Sequence, residues 1–250
     1  GIIKAGADVV VGPQKPDRAG EVDYAVQTAS VRAGANIYSH GDNWHWEADN
    51  AGLKLHDAGT DVMLPPPALA GRHQYENAAT AAMICRRLAA QRFDGINPAA
   101  LYKGLANAAQ DGRLQKLTTQ QCRQLDLAAH HTVYIDSAHN GDAARALAAE
   151  IKSWQQKGEN VGLVIGMLAG KDAYSYLAQL AATGAAAIFV PIPGEEANMH
   201  DPAYLADIWM HHNGAQFQIE DRPASAVRQA SKTADTVVIT GSGYLLRNFA

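Results

Sequence analysis

Cysteine is nearly absent from this sequence of 250 residues, and the two that occur, Cys85 and Cys122, form no CxxC pattern. That scarcity argues against a structural zinc site and against a disulfide framework, and it fits a reducing, cytoplasmic compartment. Clustered positive charge is missing as well. Lys and Arg total 21 against 25 Asp and Glu, a formal charge of -4, and no basic run stands out. A nucleic-acid partner needs clustered cations to neutralise phosphates, so none is expected, and the partner is expected to be small. No stretch approaches the roughly 18 to 20 consecutive apolar residues of a membrane span, and the opening residues carry no basic segment ahead of an apolar one. Neither a membrane nor a secretory role is expected. A GxGxxG dinucleotide fingerprint, internal repeats and low-complexity tracts are also lacking.

What is present reads as globular. A hydrophobic share of 47% with 18% charged residues supports packed cores, and the length suits two modest ones rather than a single large one. Gly1-Ile2-Ile3-Lys4 runs straight into an apolar strand pattern at residues 7–12 and reads as the interior of a fold. Residues 1–70 carry strand-like runs at 8–11 and 35–38, a helical window at 21–33 and an aromatic strand at 44–46. Leu64-Pro65-Pro66-Pro67 has three successive residues without a donor, so it is an extended connection. Small and apolar residues recur at helical spacing from 75 to 90, and Pro98 opens a second helix over 99–109, the pair forming an antiparallel hairpin.

After Gly112 the texture changes to β-rich runs alternating with amphipathic helices. Strands at 132–135, 161–165, 187–190 and 236–240 alternate with helices at 140–154, 173–180, 202–210 and 224–230. Continuous Val and Ile runs between helices imply βαβ units and a mostly parallel sheet covered on both faces, a Rossmann-like three-layer sandwich. The boundary is expected at Gln110 to Leu114, with residues 1–111 and 112–250 as the two domains.

Several constellations sit where chemistry is plausible. In Tyr134-Ile135-Asp136-Ser137-Ala138-His139-Asn140 a strand ends in an acid and a turn carries a His, at the carboxyl end of a parallel strand where open α/β folds bind ligands. The same spacing fits an Asp and an Asn capping a helix, with His139 at the surface. Gly71-Arg72-His73-Gln74-Tyr75-Glu76-Asn77-Ala78-Ala79 opens a helix with a small-residue face; plain packing, with His73 and Asn77 hydrogen-bonding locally, is the commoner origin of such a pattern. Arg113 stands beside Gly112, taken as flexible, where a guanidinium can reach a phosphate, although most Arg are solvated. The turn Gly166-Met167-Leu168-Ala169-Gly170-Lys171-Asp172 lies outside the first βα turn of its domain, which disfavours a dinucleotide reading. The pairs His130-His131 and His211-His212 point in different directions with no accompanying carboxylates and read as solvated rather than metal-binding.

Taken in order, these phrases resemble those of the folylpolyglutamate synthase and dihydrofolate synthase family of the Mur ligase superfamily. Gly1-Ile2-Ile3-Lys4 with Val9-Val10-Val11-Gly12-Pro13-Gln14, the GxHQxxNAA form at 71–79, Gly112-Arg113-Leu114-Gln115 and Asp136-Ser137-Ala138-His139-Asn140 carry the likeness. The GMxxxKD form at 166–172 and Gly241-Ser242-Gly243-Tyr244-Leu245 extend it over almost the whole chain. The resemblance implies the later part of a central ATPase domain followed by a glutamate ligase domain. It implies ATP and Mg²⁺ as cofactors, folate or dihydropteroate and L-glutamate as substrates, and a monomer. By the same route Asn77 contacts adenine, Arg113 the phosphates and Asp136 the nucleotide. His139 stands near the phosphates or glutamate, and Ser242 faces the same cleft. The implied reaction activates a carboxylate as an acyl phosphate, which the glutamate amine attacks.

The departures carry expectations of their own. The family's P-loop, its magnesium ligands and a lysine carbamylated in many members all precede the matching region, and Lys4 is not that lysine. No metal ligand is therefore assigned within this chain, and the chain alone is expected to be inactive. Gly141 replaces a Pro common after the AHN phrase, and extra residues between Arg113 and Asp136 suggest a longer loop over 118–129. A Mur-type ligase acting on a peptidoglycan precursor and a noncatalytic nucleotide-binding module remain the alternatives. Gln74 and the 241–245 ending favour folate over the former.

Overall fold

The computed structural model describes residues 2–14, 19–49, 51–69, 71, 73–91, 93–212 and 214–249. Gly1 and Arg72, which belong to two of the phrases above, lie outside the described residues. The chain divides into two compact units, Gly1–Ala109 and Gln110–Ala250. Among the described residues no helix is long and apolar enough to cross a membrane.

Unit 1 begins with β1 (Asp8–Val11), α1 (Ala19–Ala33) and β2 (Asn36–Ser39), the two strands pairing in parallel. A meander follows, β3 (Trp44–Asp49), β4 (Gly52–Asp57) and β5 (Thr60–Leu64), paired antiparallel in that order. Only β3 is foreshadowed by the aromatic run; β4 and β5 are additional. The β4–β5 turn has Ala58 at φ 47° and Gly59 at φ 81°, the paired positive values of a type I′ hairpin turn. The prolines after Leu64 form the extended connection, and α2 (His73–Ala90) and α3 (Pro98–Ala106) complete the unit.

Period-two alternation sends Trp44, Leu53, Leu55 and Leu64 inward against Ala78, Ala79, Ala82 and Met83 of α2, with Leu101 and Leu105 of α3 packed alongside. A buried acid ties this core. Asp57, 3% exposed, accepts from Arg86 Nε at 2.9 Å and from Arg87. The Arg87 guanidinium also lies 4.6 Å above the Tyr38 ring. The α3 helix stops three residues short of the expected end because Asn107 caps it, its side-chain amide donating to the Lys103 carbonyl.

Unit 2 runs β6 (Gln115–Lys116), α4 (Thr119–Gln124), β7 (Thr132–Asp136), α5 (Gly141–Gln156), β8 (Val161–Ile165) and α6 (Ala173–Ala181). It continues through β9 (Ala186–Phe189), α7 (Pro202–His211), β10 (Phe217–Ile219), α8 (Pro223–Ala230), β11 (Thr236–Thr240) and α9 (Gly243–Leu246). The sheet order is β10-β9-β8-β11-β7-β6, parallel except for the antiparallel β6. Alternate strand residues feed two cores. Leu163, Ile165, Phe189 and Val238 meet α5, α6 and α7 on one face. Val133, Ile135, Val164, Val237 and Ile239 meet α8 and α9 on the other. This is the expected three-layer, mostly parallel sandwich, because side chains of a strand covered on both faces have no solvent side and are apolar throughout.

One expectation fails here. Residues 118–129 are not a simple loop: Thr118 and Gln121 form a reciprocal capping box that starts α4, and Cys122 and Leu125 bury against the sheet. A capping box satisfies two orphan amides and stabilises even a short helix.

Candidate functional site

The carboxyl ends of three strands in unit 2 stand level, since Asp136 of β7 and Ile165 of β8 are both register partners of Thr240 of β11. The helices that follow β7 and β8 pack on one face and the helix that follows β11 packs on the other. Loops that diverge to opposite faces of neighbouring strands open a crevice at their carboxyl ends, the usual ligand position of such sheets. A concavity of about 610 Å³ lies elsewhere, at the amino ends of β8 and β9 near Gly158, Gly162 and Gly184. Its lining offers amides, the Lys232 ammonium, the Glu159 carboxylate and the Thr233 hydroxyl. The carboxylate already accepts from Thr236 Oγ1 at 2.6 Å and the hydroxyl donates to the Ala230 carbonyl, whereas the acid, the imidazole and the guanidinium of the sequence phrases gather toward the carboxyl ends.

Asp136 organises that end. Its side chain is buried, with Oδ2 accepting from the Leu114 N–H and Oδ1 from the Ala138 N–H, each at 2.9 Å. Leu114 has φ 44°, a left-handed conformation that costs a residue with a Cβ about 1–2 kcal/mol. A charge-assisted bond from its amide to a buried carboxylate is of the size needed to hold it there. Gly112 is not the flexible neighbour expected of it. Its carbonyl accepts from Ser137 N at 2.7 Å, and its own N–H donates to Gln115 Oε1 at 2.9 Å. The short segment carrying Arg113 is thus laced to the end of β7. Arg113 is half-buried and has no ion-pair partner among the described residues.

His139 lies three residues beyond Asp136, also half-buried. Its Nδ1 is 2.8 Å from the Ser137 carbonyl; a carbonyl only accepts, so Nδ1 carries the proton and Nε2 is the nitrogen left for a ligand. Asn140 caps α5, its Oδ1 accepting from Ala143 N at 2.9 Å, so the capping role holds for this residue. The neighbouring Gly141 packs closely on α6, where a Cβ would stand 3.0 Å from Ser175 Oγ; the bulk of a proline there would displace Ser175.

Ser242 is buried and caps α9, its Oγ accepting from Tyr244 N at 3.1 Å. Gly241, at φ 105°, brings its backbone so close to the loop after β8 that a Cβ would lie 2.6 Å from the Gly166 carbonyl oxygen. Beneath these loops Tyr176 and Thr240 share a buried hydroxyl contact of 2.8 Å. Burial raises the Tyr176 pKa far above the ordinary range, opposed by the Thr240 bond and reinforced by the charge of Asp136. This floor was invisible in the sequence, since neither residue belongs to a motif.

In unit 1, Asn77 is exposed on α2, and its amide donates to Gln74 Oε1 at 3.1 Å. Gln74 Nε2 is in turn 2.8 Å from His73 Nε2. The local bonding expected of His73 and Asn77 therefore runs through the buried Gln74 between them. The histidine pairs also depart from expectation: His131 Nδ1 and His212 Nε2 are buried without a hydrogen-bond partner, and the His212 ring packs 4.3 Å from Tyr174. Of these four histidines, His130 and His211 are the exposed ones.

A mostly parallel sheet with an Arg-bearing segment clamped to the end of β7 defines an α/β domain whose polar side chains gather at the strand carboxyl ends. Residues 112–243 match the family model "Mur ligase, glutamate ligase domain", more than half of the chain, and the chain belongs to that family. It is 26% identical over 255 residues to the folylpolyglutamate synthase of Lacticaseibacillus casei, which covers 98% of this chain and 54% of that protein. It is 29% identical over 180 residues to the UDP-N-acetylmuramoyl-L-alanyl-D-glutamate--L-lysine ligase of Streptococcus suis strain 05ZYH33, covering 70% of this chain and 34% of that one. Among solved structures it resembles a bifunctional folylpolyglutamate synthase/dihydrofolate synthase with Mn, AMPPNP and L-glutamate bound. That likeness has a TM-score of 0.72 and 25% identity over 98% of this chain and 53% of the other. The chain thus spans about half the length of the folylpolyglutamate synthases it matches.

Proposed function

We propose that this chain forms part of an ATP-dependent ligase that adds L-glutamate to a folate or to dihydropteroate, as a tetrahydrofolylpolyglutamate or dihydrofolate synthase. The observation that carries this reading is the Asp136 clamp, whose two oxygens hold the segments bearing Arg113 and His139 at the level carboxyl ends of β7, β11 and β8. The nucleotide fits these residues: a guanidinium without an ion-pair partner among the described residues suits phosphate oxygens, and an imidazole nitrogen left open on the turn after β7 suits a phosphate or an incoming amine. When bound, ATP supplies the phosphoryl group that makes a folate carboxylate electrophilic, with a divalent metal held by residues outside this chain.

Within the chain, Arg113 balances charge on the phosphates and His139 Nε2 orients phosphate or glutamate. Asp136 fixes both segments through Leu114 N and Ala138 N and contributes to the nucleotide site from there. Ser242 is assigned to the substrate side of the same loops, and Asn77 to the adenine on its motif alone. Preorganised cationic donors of this kind lower barriers because they are aimed before charge develops.

The second reading, a ligase acting on a peptidoglycan precursor, draws on the lysine-ligase relative. The test uses the longer protein that contains this chain, assayed for ATP- and glutamate-dependent ADP release with a reduced folate and, separately, with a UDP-muramyl peptide. Dependence on folate, with Arg113→Ala lowering kcat/KM about 10²- to 10³-fold, supports the proposal. Dependence on the muramyl peptide supports the second reading, and ATP binding without turnover of either supports a noncatalytic module.

A further inference from the structure

The three-stranded sheet of unit 1 gathers metal-ligating side chains on its outer face. Because Trp44, Leu53, Leu55 and Leu64 point into the core, the alternating positions His45 and Glu47 of β3, Lys54 and His56 of β4 and Asp61 of β5 share the opposite face. Register places His45 directly across from His56, and His56 directly across from Asp61. The two imidazoles stack with centroids 4.2 Å apart and planes 13° from parallel.

His56 is already oriented as a ligand. Its Nδ1 lies 2.7 Å from Asp61 Oδ1, an arrangement in which the imidazole donates and the carboxylate accepts, leaving the Nε2 lone pair free. That Nε2 is buried without a hydrogen-bond partner and stands 4.0 Å from Glu47 Oε2. Donor atoms of His45, Glu47 and His56 all lie within 4.8 Å of one another. Metal-bound histidines characteristically give their second N–H to a carboxylate, which fixes tautomer and ring orientation.

We infer that His45, Glu47 and His56 bind a divalent transition-metal ion of the zinc class, with Asp61 as the residue that positions His56. Bonds of about 2.0–2.2 Å in a tetrahedral site put donors roughly 3.4 Å apart. The donors stand up to 4.8 Å apart, so the cluster has to draw in by up to about 1.4 Å, and the exposed His45 has to turn out of its stack on His56, since parallel rings do not aim their in-plane lone pairs at one ion. Two imidazoles and one carboxylate suit Zn²⁺, Co²⁺, Ni²⁺ or Cu²⁺ rather than Mg²⁺ or Ca²⁺, which prefer all-oxygen sets. The fourth position would hold water. One neighbour opposes the ion: Lys54, across from Glu47, sets its ammonium 2.7 Å from Asp61 Oδ2, and its charge lowers the affinity.

The experiment titrates the chelator-treated, tag-free 250-residue chain with Zn²⁺ by calorimetry and with Co²⁺ by visible absorption, in millimolar Mg²⁺. The expected result is one ion per chain that Mg²⁺ does not displace. Glu47→Gln, at an exposed position, should weaken binding tenfold or more with the fold retained by circular dichroism. His45→Asn together with His56→Asn should abolish it, and Asp61→Asn should weaken it about 10- to 100-fold. Lys54→Met should tighten it. The inference is overturned if no ion binds, or if the Glu47 variant and the double His variant take up metal as the parent does, which would place any uptake at other histidines.

Discussion

The two units build their cores differently. Every residue of β8 and β11 in unit 2 is buried, and helices cover both faces of the sheet, so continuous Val and Ile runs do most of the organising. Unit 1 has two small separate sheets and an apolar groove of about 570 Å³ beside β1, lined by Ile3, Val9, Val22 and Ile84 among others. Its core also contains a charged tie, Asp57 with Arg86 and Arg87. A layer buried on both faces is specified by hydrophobicity alone, whereas small sheets with an open side lean on particular polar contacts and turns. That contrast can be broken or sharpened by substitution.

The largest effect is expected from Asp57→Ala. Removing the acid leaves two guanidinium groups facing a buried gap, a change of about 3–5 kcal/mol. Hydrogen exchange should accelerate in α2 and β4 while β8 and β11 keep their protection. A loss below about 1 kcal/mol would show that unit 1 does not depend on the tie. Leu163→Ala, at a fully buried position in unit 2, should cost about 2–5 kcal/mol by transfer and cavity terms, with the reverse exchange pattern. If α2 opened equally, the two cores would not be independent. The smallest change runs the other way: Ala58→Gly at the left-handed turn position should stabilise unit 1 by about 1 kcal/mol, read as a higher midpoint in denaturant. A lower midpoint would mean that the turn is not type I′ in solution.

The same contrast governs what could be read from the sequence. The four buried strands of unit 2 and their helices were legible because Val161 to Ile165 and Thr236 to Thr240 are uninterrupted β-branched or apolar runs, apart from Gly162. In unit 1, β4 and β5 escaped because Leu53-Lys54-Leu55-His56-Asp57 ends in two polar residues, one of them buried only by virtue of Arg86 and Arg87 thirty positions away. The α4 helix escaped because Thr119 to Gln124 is almost wholly polar and its stability comes from capping. At the site, Asp136, His139 and Asn140 announced themselves as a strand-end phrase. Which atoms they bond to did not, since the partner amide of Leu114 is set by a backbone angle rather than by residue type.

The Asp136 contact with the Leu114 amide also settles to which body Arg113 belongs mechanically. A swivel confined to residues 109–111 would leave the guanidinium stem anchored to the tip of β7, so its base moves as freight of the second unit. Only the reach of its side chain remains adjustable.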